Sequence, residues 1–115
     1  METLIVEKSE HLLWIKLNRP EAMNALNTRM AEELLAVFTE AAADPEVWVI
    51  GLTTTSEKAF GVGADLKERK NMTAEEIGRQ RALFTRVVLA LKNTPQPLIA
   101  GIKGFALGGG LEMAL

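Results

Sequence analysis

The chain has 115 residues, of which 48% are hydrophobic and 24% are charged, and its formal net charge is −2. This length allows one domain, and the weak acidic balance gives no electrostatic basis for binding nucleic acid or an anionic membrane. The sequence has no cysteine and no tyrosine, and His11 is its single histidine. Disulfides, a cysteine nucleophile and thiolate or histidine-rich metal sites are therefore excluded within the chain, and any acid–base chemistry depends on carboxylates or lysines.

No apolar segment of the sequence has the length of a membrane span. Met1 leads almost directly into a strand-like segment, so no targeting peptide is visible. We therefore expect a cytoplasmic protein.

The first half of the chain predicts two strands, a helix and a third strand. Residues 4–8 and Leu12–Leu17 are strand-like and flank a polar turn that contains His11. Apolar residues recur at helical spacing from about Thr28, and Asp44-Pro45 ends that helix. Residues 47–53 are almost continuously apolar, which is typical of a strand covered on both faces. Trp14 and Trp48 lie in these strand-like runs and are expected in the core.

The second half continues the alternation. Residues 59–65 are a short apolar run that leads into a helical segment. Thr73 and Glu76 form a capping box for a helix that reaches about Lys92, and residues 98–102 predict another buried-type strand. The order β–β–α–β–α–β–α indicates an α/β protein, and the chain shows no repeat or linker that divides it.

Two glycine-containing loops each lead a strand into a helix. They are residues 60–65 and residues 105–110. Because glycine has no Cβ, such loops allow backbone N–H groups to approach a ligand, and one donor from each loop could bind a single developing oxyanion. Glu112 lies next to the second loop and could act as an acid or base.

Simpler interpretations of the same residues stay open at this point. A glycine-rich turn often serves tight packing. The glycine triplet of the second loop, Gly108-Gly109-Gly110, departs from the G-x-G-x-x-G spacing of dinucleotide loops. Glu112 could merely complement a helix dipole, and Asp65 could be a helix-start residue. Lys67, Arg69 and Lys70 are most simply a solvated face.

Three short motifs follow one another along the chain. They are Leu17-Asn18-Arg19-Pro20 with Asn24-Ala25-Leu26, then Ala59-Phe60 with Gly63-Ala64-Asp65-Leu66-Lys67-Glu68, then Ala106-Leu107-Gly108-Gly109-Gly110-Leu111-Glu112. In combination they resemble the enoyl-CoA hydratase/isomerase (crotonase) family over essentially the whole chain, and look most similar to its methylglutaconyl-CoA hydratase branch. The resemblance implies an α/β fold, a spiral of ββα units. Residues 1–115 would form the N-terminal portion of a single such domain, without its C-terminal half and trimerisation helices.

The resemblance also implies a site. The N–H groups of Ala64 and Gly109 would form an oxyanion hole for an acyl-CoA thioester, and Glu112 would match the first of two catalytic glutamates, the second lying beyond residue 115. The groove for CoA would be lined by Ala22, Met23, Val62, Ala64, Asp65, Leu66, Gly108 and Gly109, with Lys67 near the CoA phosphates. Glu21 stands where some members have a lysine. Coenzyme A would enter as part of the substrate, with no separate cofactor and no metal.

The resemblance and the predicted site residues favour three functions, in the following order. Hydration of a 2-enoyl-CoA comes first, followed by isomerisation or another acyl-CoA reaction, and then by a non-catalytic binding module. The resemblance implies a homo-oligomer, a trimer or a dimer of trimers. RNA binding is disfavoured, because the helix from Thr28 contains Arg29 and no lysine but Glu32, Glu33 and Glu40, the wrong charge for phosphate contacts. In isolation, residues 47–53 and 98–102 should expose apolar faces.

Overall fold

A sheet with helices on one face carries most of the chain, as seen in a computed structural model that describes residues 1–56, 58–61, 63–101 and 105–106. The elements in chain order are β1 (Leu4–Ser9), β2 (Leu12–Leu17), a 3-10 turn (Pro20–Ala22), α1 (Thr28–Ala43), β3 (Val49–Thr54), β4 (Ala59–Gly61), α2 (Leu66–Arg69), α3 (Ala74–Lys92), β5 (Leu98–Ala100) and β6 (Phe105–Ala106). The predicted α/β class is confirmed. The helix predicted after the glycine triplet lies outside the described residues.

The main sheet has four strands in the order β1-β2-β3-β5. β1 and β2 form an antiparallel hairpin, whereas β2 pairs with β3 and β3 with β5 in parallel. A parallel pair needs a crossover connection, and α1 supplies it between β2 and β3. β4 and β6 pair in parallel as a separate two-stranded sheet.

The core lies between this sheet and the two long helices. The apolar stripe predicted for α1 is confirmed, because all of its members are buried: Met30, Leu34, Val37, Phe38 and Ala41. They pack with the inward side chains of β2 and β3 and with Val87 of α3. Complete burial of a large apolar side chain stabilises the fold by about 1.5–3 kcal/mol, so this stripe fixes α1 firmly on the sheet.

Side-chain caps define where the long helices begin. Asn27 caps α1, its Oδ1 accepting the Met30 N–H at 2.8 Å. At the start of α3 the Thr73 hydroxyl accepts the Glu76 N–H at 3.1 Å, and the Glu76 carboxylate accepts the Thr73 N–H at 3.3 Å. The predicted capping box is therefore confirmed.

The prediction that Trp48 belongs to the core is wrong. The residue is 60% exposed, because β3 begins one residue after it. Its ring stacks on His11 with the ring centroids 3.5 Å apart. Trp14 is half-buried rather than in the core, since alternation along β2 sends Leu13 and Ile15 inward and Trp14 to the opposite face.

That opposite face of the sheet carries exposed apolar surface. Ile99 of β5 is 59% exposed, which confirms at this residue that the segment 98–102 presents an apolar face. Leu98 and Ala100 are half-buried. Ile102 lies outside the described residues.

Candidate functional site

The loop from Arg19 to Leu26 has an unusual and well-anchored backbone. After the 3-10 turn, Met23 and Asn24 both adopt positive φ angles, 51° and 57°, a region that non-glycine residues seldom occupy. The Asn24 side chain holds this shape: its Oδ1 accepts the Arg19 N–H at 2.8 Å, and its Nδ2 donates to the Thr54 hydroxyl. The loop is thereby tied to the end of β3.

A second segment, residues 63–65, runs beside that loop. Gly63 has φ 93°, which L side chains rarely adopt. The Leu26 N–H donates to the Gly63 carbonyl at 2.7 Å, and the Asp65 N–H donates to the Leu26 carbonyl at 2.9 Å. Leu26 and Ala64 thus form a parallel bridge, in which the N–H of Ala64 points to the side away from Leu26. None of the described residues accepts that N–H.

β4 and β6 contain the first described residues of the two predicted donor loops, and these two strands pair in parallel. Gly61 lies opposite Ala106 in this parallel pair. The carboxyl ends of both strands therefore meet, and in the sequence Ala64 follows the first strand and the glycine triplet follows the second. Gly108, Gly109 and Glu112 themselves lie outside the described residues.

Asp65 joins the two segments through its side chain. Its Oδ1 accepts the N–H groups of Lys67 at 3.0 Å and Glu68 at 3.2 Å, which caps α2. Its Oδ2 accepts a hydrogen bond and ion pair from Arg19 Nη2 at 3.0 Å. Burial raises the pKa of this carboxyl, but the Glu68 and Lys67 N–H groups and the Arg19 guanidinium outweigh it, so that the pKa lies below its ordinary value. Asp65 is therefore the helix-start residue that the sequence indicated, with an ionic partner in addition.

A cleft of about 530 Å³ opens between the two segments. It brings together all the described residues of the predicted groove: Ala22, Met23, Ala64, Asp65, Leu66 and Lys67. Arg19, Glu21 and Ala25 also line it. Val62, the remaining predicted member on this side, lies outside the described residues. The cleft combines a mostly apolar wall with a cation at its rim, since Lys67 is exposed and has no ion-pair partner among the described carboxylates.

Behind the cleft, a polar network that the sequence did not reveal fixes α2 to the long helices. The Glu68 carboxylate accepts the Thr28 N–H at 3.1 Å and a hydrogen bond from Gln80 Nε2. Gln80, which is 3% exposed, also donates to the Thr28 hydroxyl at 2.9 Å. A glutamine between apolar positions of α3 is the one signal in the sequence that could have indicated a buried polar contact.

The prediction of a solvated cationic face holds for Lys67 and Lys70, which are exposed, but is wrong for Arg69. The Arg69 Nε donates to Gln80 Oε1 at 2.7 Å, and its guanidinium lies 5.7 Å from the centroid of the Phe84 ring. The reason is that α2 is one turn long and packs its Arg69 side against α3. Lys67 projects from it beside the cleft.

The comparison with known proteins assigns the chain to one family. Residues 7–115 match the enoyl-CoA hydratase/isomerase family. The chain belongs to the enoyl-CoA hydratase/isomerase, or crotonase, family.

Individual relatives cover nearly all of the chain. YngF of Bacillus subtilis is 44% identical over 112 residues, which span 97% of this chain and 43% of that protein. A crotonyl-CoA hydratase of Syntrophomonas wolfei is 39% identical, over 99% of this chain and 44% of its own length. The crystal structure of an enoyl-CoA hydratase from Bacillus anthracis superimposes with a TM-score of 0.93 at 36% identity, covering 97% of this chain and 44% of that one. The chain thus spans less than half the length of these proteins and has the crotonase fold of their matching portion. Its likeness to the methylglutaconyl-CoA hydratase branch stays a prediction.

Two further findings concern only the part of the chain that the structure describes. No group of three or more histidine, aspartate or glutamate side chains there is placed to hold a metal ion. Within the same residues, neither long helix has both the length and the apolarity to cross a membrane.

Proposed function

We propose that the protein carrying these residues hydrates a 2-enoyl-CoA thioester that it binds in the cleft. The observation that supports this most is the Ala64 N–H, which has no acceptor among the described residues and belongs to a residue that lines the cleft. A backbone N–H donor at a concave site is what stabilises a developing oxyanion. The names of the relatives agree with this chemistry.

In the proposed reaction, water adds across the carbon–carbon double bond next to the thioester. The hydroxyl group bonds to the β-carbon, and the electron pair of the double bond moves toward the thioester oxygen, which becomes an enolate. The N–H groups of Ala64 and Gly109 stabilise that charge, and loss of one such donor typically costs about 10²–10³ in rate. The α-carbon then takes a proton, which yields the 3-hydroxyacyl-CoA.

Glu112 is the carboxylate proposed to handle the water or the proton. A general acid or base must lie within hydrogen-bonding reach of the proton that it moves. In the sequence, Gly109 and Glu112 come shortly after β6, and β6 pairs with β4, the strand that precedes Ala64. A second carboxylate, which hydration also needs by the family resemblance, is expected from residues beyond 115.

The rim of the cleft suggests how coenzyme A is held. Lys67 is exposed and can meet the phosphates as a compact point charge. Glu21 lines the same cleft and opposes such binding on its side, so Lys67 is the proposed phosphate contact. Ala22, Met23 and Leu66 provide apolar contact for the rest of the CoA chain.

Isomerisation of the double bond is the second candidate, because it needs the same oxyanion donors and the family includes it by name. The two reactions differ in whether water enters the product. We also propose that the whole protein assembles as a trimer or dimer of trimers, which only the family resemblance supports.

The experiment is a Glu112→Gln substitution in the whole protein that carries these residues. We expect hydration of crotonyl-CoA to fall by at least ~10², with affinity for a saturated acyl-CoA retained, since the binding contacts lie elsewhere. Glu75→Gln, at an exposed position of α3, is the matched control. Normal turnover by the Glu112→Gln variant would overturn the role assigned to Glu112.

A further inference from the structure

The two branches of one guanidinium hold the two walls of the cleft. Arg19 Nη2 donates to Asp65 Oδ2 at 3.0 Å, and Nη1 donates to the Ala25 carbonyl. Asp65 lies 46 residues from Arg19 in the sequence, whereas Ala25 belongs to the same loop as Arg19. The side chains of Arg19 and Asp65 are only 16% and 12% exposed, so this contact is largely screened from water.

The residue between these anchors is Ala64. Its neighbours Gly63 and Asp65 are each hydrogen bonded to Leu26, while the Ala64 N–H points to the other side. The direction of that N–H is therefore set by how well the 63–65 segment keeps its place against Leu26. Arg19 secures both partners of this bridge, one through Asp65 and the other through Ala25.

We infer that Arg19 is a positioning residue that aims the Ala64 N–H at the thioester oxygen. The inference rests on the proposed function and adds a residue that need not touch the substrate's reacting atoms. A donor misplaced by about 1 Å can cost about 10² in rate, so a small shift of the 63–65 segment would suffice.

The geometry requires arginine in particular. A planar guanidinium can donate along two directions at once, whereas a lysine ammonium is a single flexible point charge. The backbone of Arg19 is itself fixed, because its N–H donates to Asn24 Oδ1 and its carbonyl accepts the Asn24 N–H, both at 2.8 Å. The guanidinium of Arg19 therefore leaves the loop in a fixed direction. Arg19→Lys would keep the charge but lose the hydrogen bond to one of the two walls of the cleft.

The test is Arg19→Lys in the whole protein, with Arg79→Lys as a matched control. Arg79 also pairs with a carboxylate, Glu75 at 3.2 Å, but both are highly exposed. We expect Arg19→Lys to lower kcat for hydration by about 10- to 100-fold and to change KM by less than about threefold, because substrate contacts remain. Asp65→Asn keeps the cap of α2 and should reproduce the loss, and the double variant should be no slower than the worse single variant.

A second measurement does not depend on catalysis. The N–H groups of Leu26 and Asp65 make the two hydrogen bonds of the bridge between Leu26 and Ala64. Their amide hydrogen exchange should become about tenfold faster in Arg19→Lys and stay unchanged in Arg79→Lys. Unchanged exchange at both amides would overturn the positioning role of Arg19, whether or not the protein is a hydratase. Absence of enoyl-CoA hydration by the wild-type protein would instead overturn the proposed function. An unchanged kcat, or a raised KM with normal kcat, in Arg19→Lys would also overturn the positioning role. If Arg19→Lys does not fold, Asp65→Asn serves for both measurements.

Discussion

Replacing Gln80 by methionine tests whether the polar network around Gln80 anchors α2, the helix that carries Lys67 beside the cleft. Methionine has a similar length and no hydrogen-bonding amide, so the volume of this 3%-exposed side chain is kept while its polar contacts are lost. Those contacts are the donations to Glu68 and to the Thr28 hydroxyl and the acceptance from Arg69 Nε at 2.7 Å. Hydrogen bonds to charged groups contribute about 1.5–3 kcal/mol each and neutral ones about 1 kcal/mol.

The expected loss is smaller than the sum of these contacts. The Glu68 carboxylate keeps the Thr28 N–H at 3.1 Å and the Thr28 hydroxyl at 3.3 Å, and Arg69 keeps its position over Phe84. We therefore expect Gln80→Met to lower the free energy of unfolding by about 2–4 kcal/mol.

The assay is urea denaturation followed by circular dichroism, with the slope m compared between variants to check that the unfolding transition exposes the same surface. Arg81→Met, one position further along α3 and exposed, is the matched control and should change stability by no more than about 0.5 kcal/mol. Equal stability of the two variants would refute the network as an anchor of α2.

Three further predictions concern the sheet, the acid range and the rim of the cleft. A Cβ on Gly51 would lie 2.4 Å from Trp14 Cε3, so Gly51→Ala should cost about 1–3 kcal/mol in denaturation experiments, and the cost should shrink in a Trp14→Ala background. Because the pKa of Asp65 is lowered from 3.8, its stabilising effect is complete above that value and is lost as pH falls through the lower folded-state pKa; acid titration of stability should show this fall, and Asp65→Asn should flatten it. Lys67→Glu should weaken CoA binding in calorimetry by about three- to thirtyfold at low salt, whereas Lys70→Glu should change it less, and equal effects would contradict a specific phosphate contact.

The sequence predicted most of the elements because their signals are local. The α1 stripe recurs every three or four residues, and the capping box of Thr73 and Glu76 spans a single turn. The wrong prediction for Trp48 also comes from a local signal. A continuous apolar run does not indicate at which residue the chain leaves the sheet, and only the pairing of β2 with β3 sets that boundary at Val49.

The candidate site was predicted from the sequence only in part. The groove residues came from a resemblance to a family, not from spacing, and the structure places the described ones in one cleft. What the sequence could not provide is the contact between distant segments. Arg19 meets Asp65 across 46 residues, and the direction of the Ala64 N–H depends on its pairing with Leu26, neither of which leaves a periodic pattern.

The most direct test of the proposed reaction is to measure the mass of its product. The whole protein that carries these residues is incubated with crotonyl-CoA in water enriched in oxygen-18, and the thioester is analysed by mass spectrometry. Hydration predicts a product heavier by one labelled water molecule, with the label on the acyl chain. A product of unchanged mass, or no conversion of the 2-enoyl-CoA, would contradict it.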